Sequence, residues 1–221
     1  MRTAPLPDLS TLCTPSELAI LLADRLVLSF PDRFLGGLEV PGSRRFVGTD
    51  VLLPVVVETA LAALRQCGAV TLTLHSRGSS LDASELPWLT ARDARPAFLQ
   101  GSPEAKLLEW LGTRPGRCGF VDDAIADALI HTVSPDPWRC MAQQAMSGLL
   151  ARGVCVEQRR TVWVVFRETT LALHDTVAGA VAPQATTLLS LLANTRALLT
   201  PKERALVGRC VSMAVSAQTA R

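Results

Sequence analysis

The chain has 221 residues, of which 48% are hydrophobic and 19% are charged, and its formal net charge at pH 7 is +2. This balance excludes a chain that is disordered throughout, and the length is sufficient for one domain with a full hydrophobic core. A net charge so close to zero gives no support by itself for a nucleic-acid partner. Leucine, alanine and valine are abundant and tyrosine is absent, which favours a mainly α-helical core over a β-sandwich.

Cysteine usage and the apolar segments indicate the compartment. The six cysteines are scattered without a C-x-x-C pair, so we expect reduced, mostly buried thiols in a cytoplasmic protein. The first residues lack the apolar region of a signal peptide. The most hydrophobic run, residues 51–64, contains Pro54 and Glu58 and is too short to cross a bilayer. The chain is therefore expected to be soluble or attached to a membrane at its surface.

The N-terminal third predicts two helices around a short strand. After a flexible segment at residues 1–11, Thr14, Pro15 and Glu17 form a capping box that starts a helix. A strand is expected at residues 26–30. After a loop that contains Arg44 and Arg45, a helix at residues 50–67 is apolar almost all round, which is typical of a buried central position.

Each of two helices is predicted to end at a glycine that leads into a short β-hairpin. Gly68 and Gly153 stand where a helix favours a left-handed closing residue, and the hydrophobic period then changes from 3.6 to 2. The predicted turns are residues 76–79 in the first hairpin and residues 158–160 in the second. A long surface loop is expected at about residues 75–105.

The C-terminal half predicts further helices. Two short ones are expected at residues 104–111 and 121–132, and a longer one begins at Pro137 with Asp136 as its N-cap. A helix is expected at residues 183–193, and a capping box at Thr200 and Glu203 starts the last one. The sequence therefore predicts one mainly α-helical domain over residues 12–218, with a buried central helix, surrounding amphipathic helices and two short β-hairpins.

Short motifs along this order of elements resemble the Golgi phosphoprotein 3 family. They are Glu17 through Asp24, the helix exit at residues 62–72, the run Leu150-Ala151-Arg152-Gly153-Val154-Cys155-Val156-Glu157, Trp163-Val164-Val165-Phe166 and residues 188–193. The resemblance implies a non-enzymatic adaptor at the cytosolic face of Golgi membranes. It also implies binding to phosphatidylinositol 4-phosphate, to short cytoplasmic tails of membrane proteins and to further copies of the chain.

The resemblance places one lipid-binding arginine at Arg139. Where the family has its pocket tryptophan and two other arginines, this chain has Gly48, Val57 and Ala142. Arg44 and Arg45 are further candidates for the headgroup under a shifted alignment.

The second hairpin is predicted to contact a membrane or another copy of the chain. Arg159 and Arg160 are assigned to its turn, and Trp163 and Phe166 to the arm that follows. Cations at a tip with large apolar groups behind them suit an anionic membrane, and aromatic residues suit an oligomer interface. The alternative is an ordinary hairpin with one side on the core and a solvated turn.

The sequence gives little support for catalysis, metal binding or DNA binding. No motif for phosphate cradling, nucleophilic catalysis or a catalytic metal occurs, so we expect neither an enzyme nor a cofactor. Asp123, Asp127 and His131 share a helix face, but its ends are about 12 Å apart along the axis, too far for one ion. A winged helix that binds nucleic acid is the rival interpretation; the candidate recognition helix at residues 137–152 carries only Arg139 and Arg152 as cations. A soluble oligomeric scaffold without lipid binding is another alternative.

Overall fold

A computed structural model describes residues 6–31, 37–78, 84–93, 96, 98–130, 135–162 and 166–219, with the backbone alone at 160–162 and 166–169. The helices are α1 (Leu9–Leu12), α2 (Pro15–Leu21), α3 (Ala23–Leu26), α4 (Thr49–Gln66), α5 (Pro103–Thr113), α6 (Val121–Ile125), α7 (Pro137–Ala151), α8 (Asp175–Arg196) and α9 (Pro201–Thr219). The strands are β1 (Ser29–Phe30), β2 (Leu38–Glu39), β3 (Phe46–Val47), β4 (Val70–Arg77), β5 (Ser84–Ala91), β6 (Cys118–Phe120), β7 (Cys155–Val162) and β8 (Phe166–Leu173).

The fold is mainly α-helical with small antiparallel sheets, as the sequence predicts. The strand orders are β1-β3-β2, β4-β5-β6 and β7-β8. Helix α4 is buried from Leu52 to Leu64 except at Pro54, and α2, α5, α7, α8 and α9 pack around it. The prediction of a buried central helix is therefore confirmed.

Both glycine-terminated helices are confirmed. Gly68 follows α4 with φ of 71°, and Gly153 follows α7 with φ of 69°. The amides of Ala69 and Val154 bond back to the carbonyls of Leu64 and Leu149 at 3.0 and 2.9 Å. These bonds close each helix and direct the chain into β4 or β7.

The structure corrects part of the flexible segment expected at residues 1–11 and part of the surface loop expected at 75–105; residues 1–5, 79–83, 94–95 and 97 lie outside the described residues. Residues 9–12 form α1, in which Leu9 is fully buried and donates its N–H to Gln184 Oε1 of α8 at 3.1 Å. Residues 84–91 form β5, with Leu86 and Leu89 fully buried. Pro87 made this strand difficult to predict, because a proline cannot donate a hydrogen bond within a sheet. Strand β6 pairs only with residues 88–90 of β5, so Pro87 has no partner residue on the β6 side.

Smaller differences concern the ends of elements. The strand expected at residues 26–30 is only β1, because residues 23–26 complete the helical turn α3. Strand β4 continues through Arg77, so residues 76 and 77 belong to a strand and not to the predicted turn, and residues 79–83 lie outside the described residues. The helix expected at 121–132 becomes a π-helical turn at residues 126–130.

Candidate functional site

A cleft lies beside α7. Its volume is about 720 Å³, which lies in the range of ligand-binding cavities. We call it the α7 cleft. It is lined by Gly37, Leu38, Glu39, Phe46, Thr49, Asp136, Trp138, Arg139, Ala142, Gln143, Met146, Leu150, Glu157, Thr170 and Leu171.

The start of α7 positions the polar side chains of one wall. Asp136 is the N-cap, and its carboxylate accepts the N–H of Arg139 at 2.9 Å. Pro137 follows at the first helical position, where its missing N–H costs nothing. The cleft is then lined by residues three or four apart along the helix: Arg139, Gln143, Met146 and Leu150. Another face of the helix packs in the core through Met141, Ala145 and Leu149.

The other walls come from the two sheets beside the helix. Leu38, Glu39 and Phe46 belong to β2 and β3, which pair with Glu39 opposite Phe46. Glu157 and Leu171 stand opposite each other on β7 and β8. The cleft therefore brings together three regions that are distant in the sequence, and its lining includes aromatic and aliphatic side chains.

The charge of the lining is mainly acidic. Glu39, Asp136 and Glu157 bring three carboxylates, and Arg139 brings the single guanidinium among the lining residues. Arg139 is exposed, and its side chain makes no ion pair with the described residues. Glu39 and Asp136 also have other interactions, so the exposed Glu157 is the carboxylate that most favours a positively charged occupant.

The structure brings only one of the three predicted headgroup residues to this cleft. Arg44 is exposed, with φ of 56°, and does not line it. Arg45 donates from Nε to Ser29 Oγ at 2.7 Å and from Nη2 to the Ser29 carbonyl at 3.1 Å. Ala142, which stands where the resemblance places a pocket arginine, does line it.

The predicted turn of the second hairpin is wrong. Arg159 and Arg160 lie within β7, opposite Thr169 and Glu168, and the connection between the strands is residues 163–165. The segment 158–160 lacks the Gly, Asn, Asp or Pro that tight turns favour, so the pairing continues through it. Arg159 is exposed. Trp163 lies outside the described residues, and for Arg160 and Phe166 the structure gives the backbone alone.

A buried polar network next to α7 was missed by the sequence analysis. Arg152 Nη2 donates to both carboxylate oxygens of the fully buried Glu17, at 2.5 and 2.6 Å. Glu104, also fully buried, accepts from Thr14 Oγ1 at 2.8 Å and from Ser16 Oγ at 2.6 Å. Burial raises the pKa of Glu104, and the bonds from Ser16 and Thr14 oppose that rise. Only the capping role of Glu17 was visible in the sequence.

The acidic helix face considered for a metal is used in ion pairs. Asp123 accepts from Arg77 Nη2 at 3.1 Å, and Asp127 accepts from Trp110 Nε1 at 3.1 Å and from Arg114. His131 lies outside the described residues. Within the described part of the chain, no group of three or more His, Cys, Asp and Glu side chains is placed to hold a metal ion.

Lys106 and Ser147 lie close together, as in a serine–lysine pair. Lys106 Nζ donates to Ser147 Oγ at 2.9 Å, to the Gln144 carbonyl at 2.8 Å and to Gln144 Oε1 at 2.5 Å. Burial lowers the pKa of Lys106. Because these three acceptors match the three donors of an ammonium group, the contact fits the joining of α5 to α7 better than the activation of a nucleophile.

Helix α8 combines length, low polarity and exposure. By length and composition alone it could cross a membrane, and 28% of its most apolar stretch is buried. Core helices of soluble proteins pass the same test, so this observation adds little about membranes.

No family model, curated protein or solved structure matches this chain.

Proposed function

We propose that the protein is a non-enzymatic adaptor that binds a short basic protein segment in the α7 cleft. The observation that carries the proposal is a lining in which three carboxylates and one arginine occur together with aromatic and aliphatic side chains. An arginine or lysine side chain of such a segment would pair with Glu157, and its apolar side chains would pack on Phe46 and Leu150. The resemblance described above, which implies binding to cytoplasmic tails of membrane proteins, supports this choice.

Phosphoinositide binding is the second candidate function. It is favoured by Arg139, whose exposed guanidinium lines the cleft without an ion pair to the described residues. A phosphate there would accept from Arg139 but would also lie near three carboxylates. The second candidate therefore requires the arginine to outweigh its acidic surroundings, and it places the adaptor at the cytosolic face of a membrane, on the Golgi in a eukaryotic cell.

Opposite charge reversals separate the two candidates. The probes are a fluorescent peptide of alternating leucine and arginine residues and vesicles that contain phosphatidylinositol 4-phosphate. For peptide binding, we expect Glu157→Lys to weaken the affinity about tenfold and Arg139→Glu to strengthen it. For lipid binding, we expect the opposite: Glu157→Lys should strengthen the affinity for the vesicles and Arg139→Glu should weaken it.

Arg209→Glu provides the matched control. Arg209 is exposed on α9 and does not line the cleft. Because both variants replace an arginine by a glutamate, Arg209→Glu changes the net charge by the same amount as Arg139→Glu. It is expected to leave both affinities within about twofold. Failure of wild-type protein to bind the peptide at low salt, or an equal effect of Arg139→Glu and Arg209→Glu, would contradict the cleft as the peptide site.

A further inference from the structure

A second concave site lies between α4, the end of α8 and the start of α9. It has a volume of about 360 Å³ and is lined by Glu58, Arg196, Pro201, Arg204, Ala205 and Gly208. It shares no lining residue with the α7 cleft. The volume is at the lower end for ligand sites, which suits a small group.

The two arginines of this groove differ in their partners. Arg196 donates from Nε and Nη2 to Glu58 Oε2 at 3.2 and 2.6 Å, so this pair is neutral as a unit. Arg204 forms no ion pair with the described residues, and its Nε is buried without a hydrogen-bond partner. The guanidinium of Arg204 therefore brings to the groove a positive charge that no carboxylate of the described residues pairs with.

Other charged groups near the start of α9 are already paired. Glu203 accepts from Arg65 at 3.0 Å and from the Thr200 amide at 2.7 Å, and Lys202 pairs with Glu85 at 2.8 Å. Because the negative charge of Glu58 is paired with Arg196, the groove has a net positive charge from Arg204.

We propose that this groove binds a small oxyanion, with a phosphate group as the ligand that fits best. The guanidinium of Arg204 would donate two bonds in its planar fork, a geometry that matches phosphate oxygens. The carboxylate of Glu58 stays on Arg196, so the anion does not displace an existing pair. The proposal is independent of the adaptor function, because the two sites have different walls.

The test is a titration with inorganic phosphate at constant ionic strength, with chloride as the balancing anion. We expect phosphate to raise the thermal midpoint of wild-type protein in a concentration-dependent way, since a ligand that binds only the native state stabilises it. Arg204→Gln should weaken phosphate binding about tenfold or more. Arg209→Gln, five residues further along the same helix and outside the groove, should leave it unchanged.

A second variant and a lipid arm complete the experiment. Arg204→Lys keeps the charge but lacks the fork, so we expect intermediate binding, and it replaces Arg204→Gln if that variant does not fold. Vesicles with phosphatidylinositol 4-phosphate then show whether the phosphate is part of a lipid. Vesicle binding that depends on Arg204 would identify the ligand as a lipid headgroup. A phosphate effect without vesicle binding would identify it as the free ion. No phosphate effect in the wild type, or an equal effect in Arg204→Gln, overturns the proposal.

Discussion

At the scale of single residues, Gly68 and Gly153 show a requirement that is conformational rather than steric. Both have positive φ, and a Cβ built on either would meet nothing within 4 Å. Replacement by alanine is therefore expected to lower the free energy of unfolding by about 1 kcal/mol, through backbone strain alone. Urea unfolding measures this loss.

Gly112 provides the control for that substitution. It lies inside α5, has no positive φ, and also has open space around a built Cβ. Gly112→Ala should leave the protein equally stable or up to about 1 kcal/mol more stable, because alanine favours a helix. Equal losses at Gly68 and Gly112 would show that the left-handed conformation is not the cause.

The buried pair of Glu17 and Arg152 leads to a second prediction. Arg152→Met removes both bonds to a carboxylate that is fully buried, and we expect a loss of about 3 kcal/mol in the free energy of unfolding. Lys202→Met removes an exposed pair with Glu85 and should cost less than about 1 kcal/mol. Chemical denaturation of both variants gives the comparison, and similar small losses would contradict the importance of the buried pair.

These residues also show how far the sequence could predict the structure. The glycines and the capping role of Glu17 are local signals, with all their determinants within a few residues. The bond from Arg152 to Glu17 joins positions 135 residues apart, and neither residue type indicates its partner. Glu39 and Glu157 of the α7 cleft were missed for the same reason, whereas Arg139 was found through the family resemblance.

At the scale of elements, the capping box of α9 makes stability depend on pH. Burial opposes ionisation of Glu203, but bonds from Thr200 and Arg65 outweigh it and hold the pKa of Glu203 below its ordinary value of 4.5. A carboxyl with a lowered pKa in the folded state stabilises the protein above the ordinary pKa, and this contribution is lost as the pH falls through the folded value. The start of α9 should therefore weaken in acid.

Glu203→Gln tests this dependence. At pH 7 we expect the variant to be about 1 kcal/mol less stable than the wild type, and the difference should decrease as the pH falls towards 3. Glu85→Gln, at a carboxylate that is 56% exposed, should show almost no difference at either pH. Urea unfolding at both pH values gives the result, and a difference for Glu203→Gln that does not change with pH would contradict the argument.

The second hairpin leads to a prediction about assembly. Strand β7 is buried at Cys155 but exposed from Val156 to Arg159, and Trp163 follows β7 directly in the sequence. If the hairpin joins copies of the chain, Trp163→Asp should shift the mass in light scattering towards the monomer. Leu28→Asp, which changes an apolar residue that is 74% exposed elsewhere, should leave the mass unchanged. An unaltered mass for Trp163→Asp would argue against self-association through this hairpin.

The same hairpin shows why element type was easier to predict than element ends. The change from helical to alternating periodicity correctly gave β7 and β8. The turn was misplaced because charged residues at 158–160 resemble a solvated tip, although the pairing that begins with Cys155 opposite Leu173 continues to Val162 opposite Phe166. Register is fixed by the base of the hairpin and its buried side chains, and these are not visible in a window of a few residues.

At the scale of the whole molecule, long-range ion pairs join the two ends of the chain. Glu17 pairs with Arg152, Glu58 with Arg196 and Arg65 with Glu203. Each pair connects the first third of the sequence to the last third. The buried hydrophobic residues form one cluster that extends from Leu9 to Val215, so the described residues share a continuous core.

A shared core predicts that unfolding is one cooperative transition. Far-UV circular dichroism reports the helices, and tryptophan fluorescence includes Trp110, which is 7% exposed in that core. We expect both signals to give the same urea midpoint. Arg196→Met, which removes the partner of the buried Glu58, should lower both midpoints together, because α4 and α8 belong to the same cooperative unit. A fluorescence change that precedes the loss of helix, or a variant that moves only one signal, would indicate that the chain divides into parts that unfold separately.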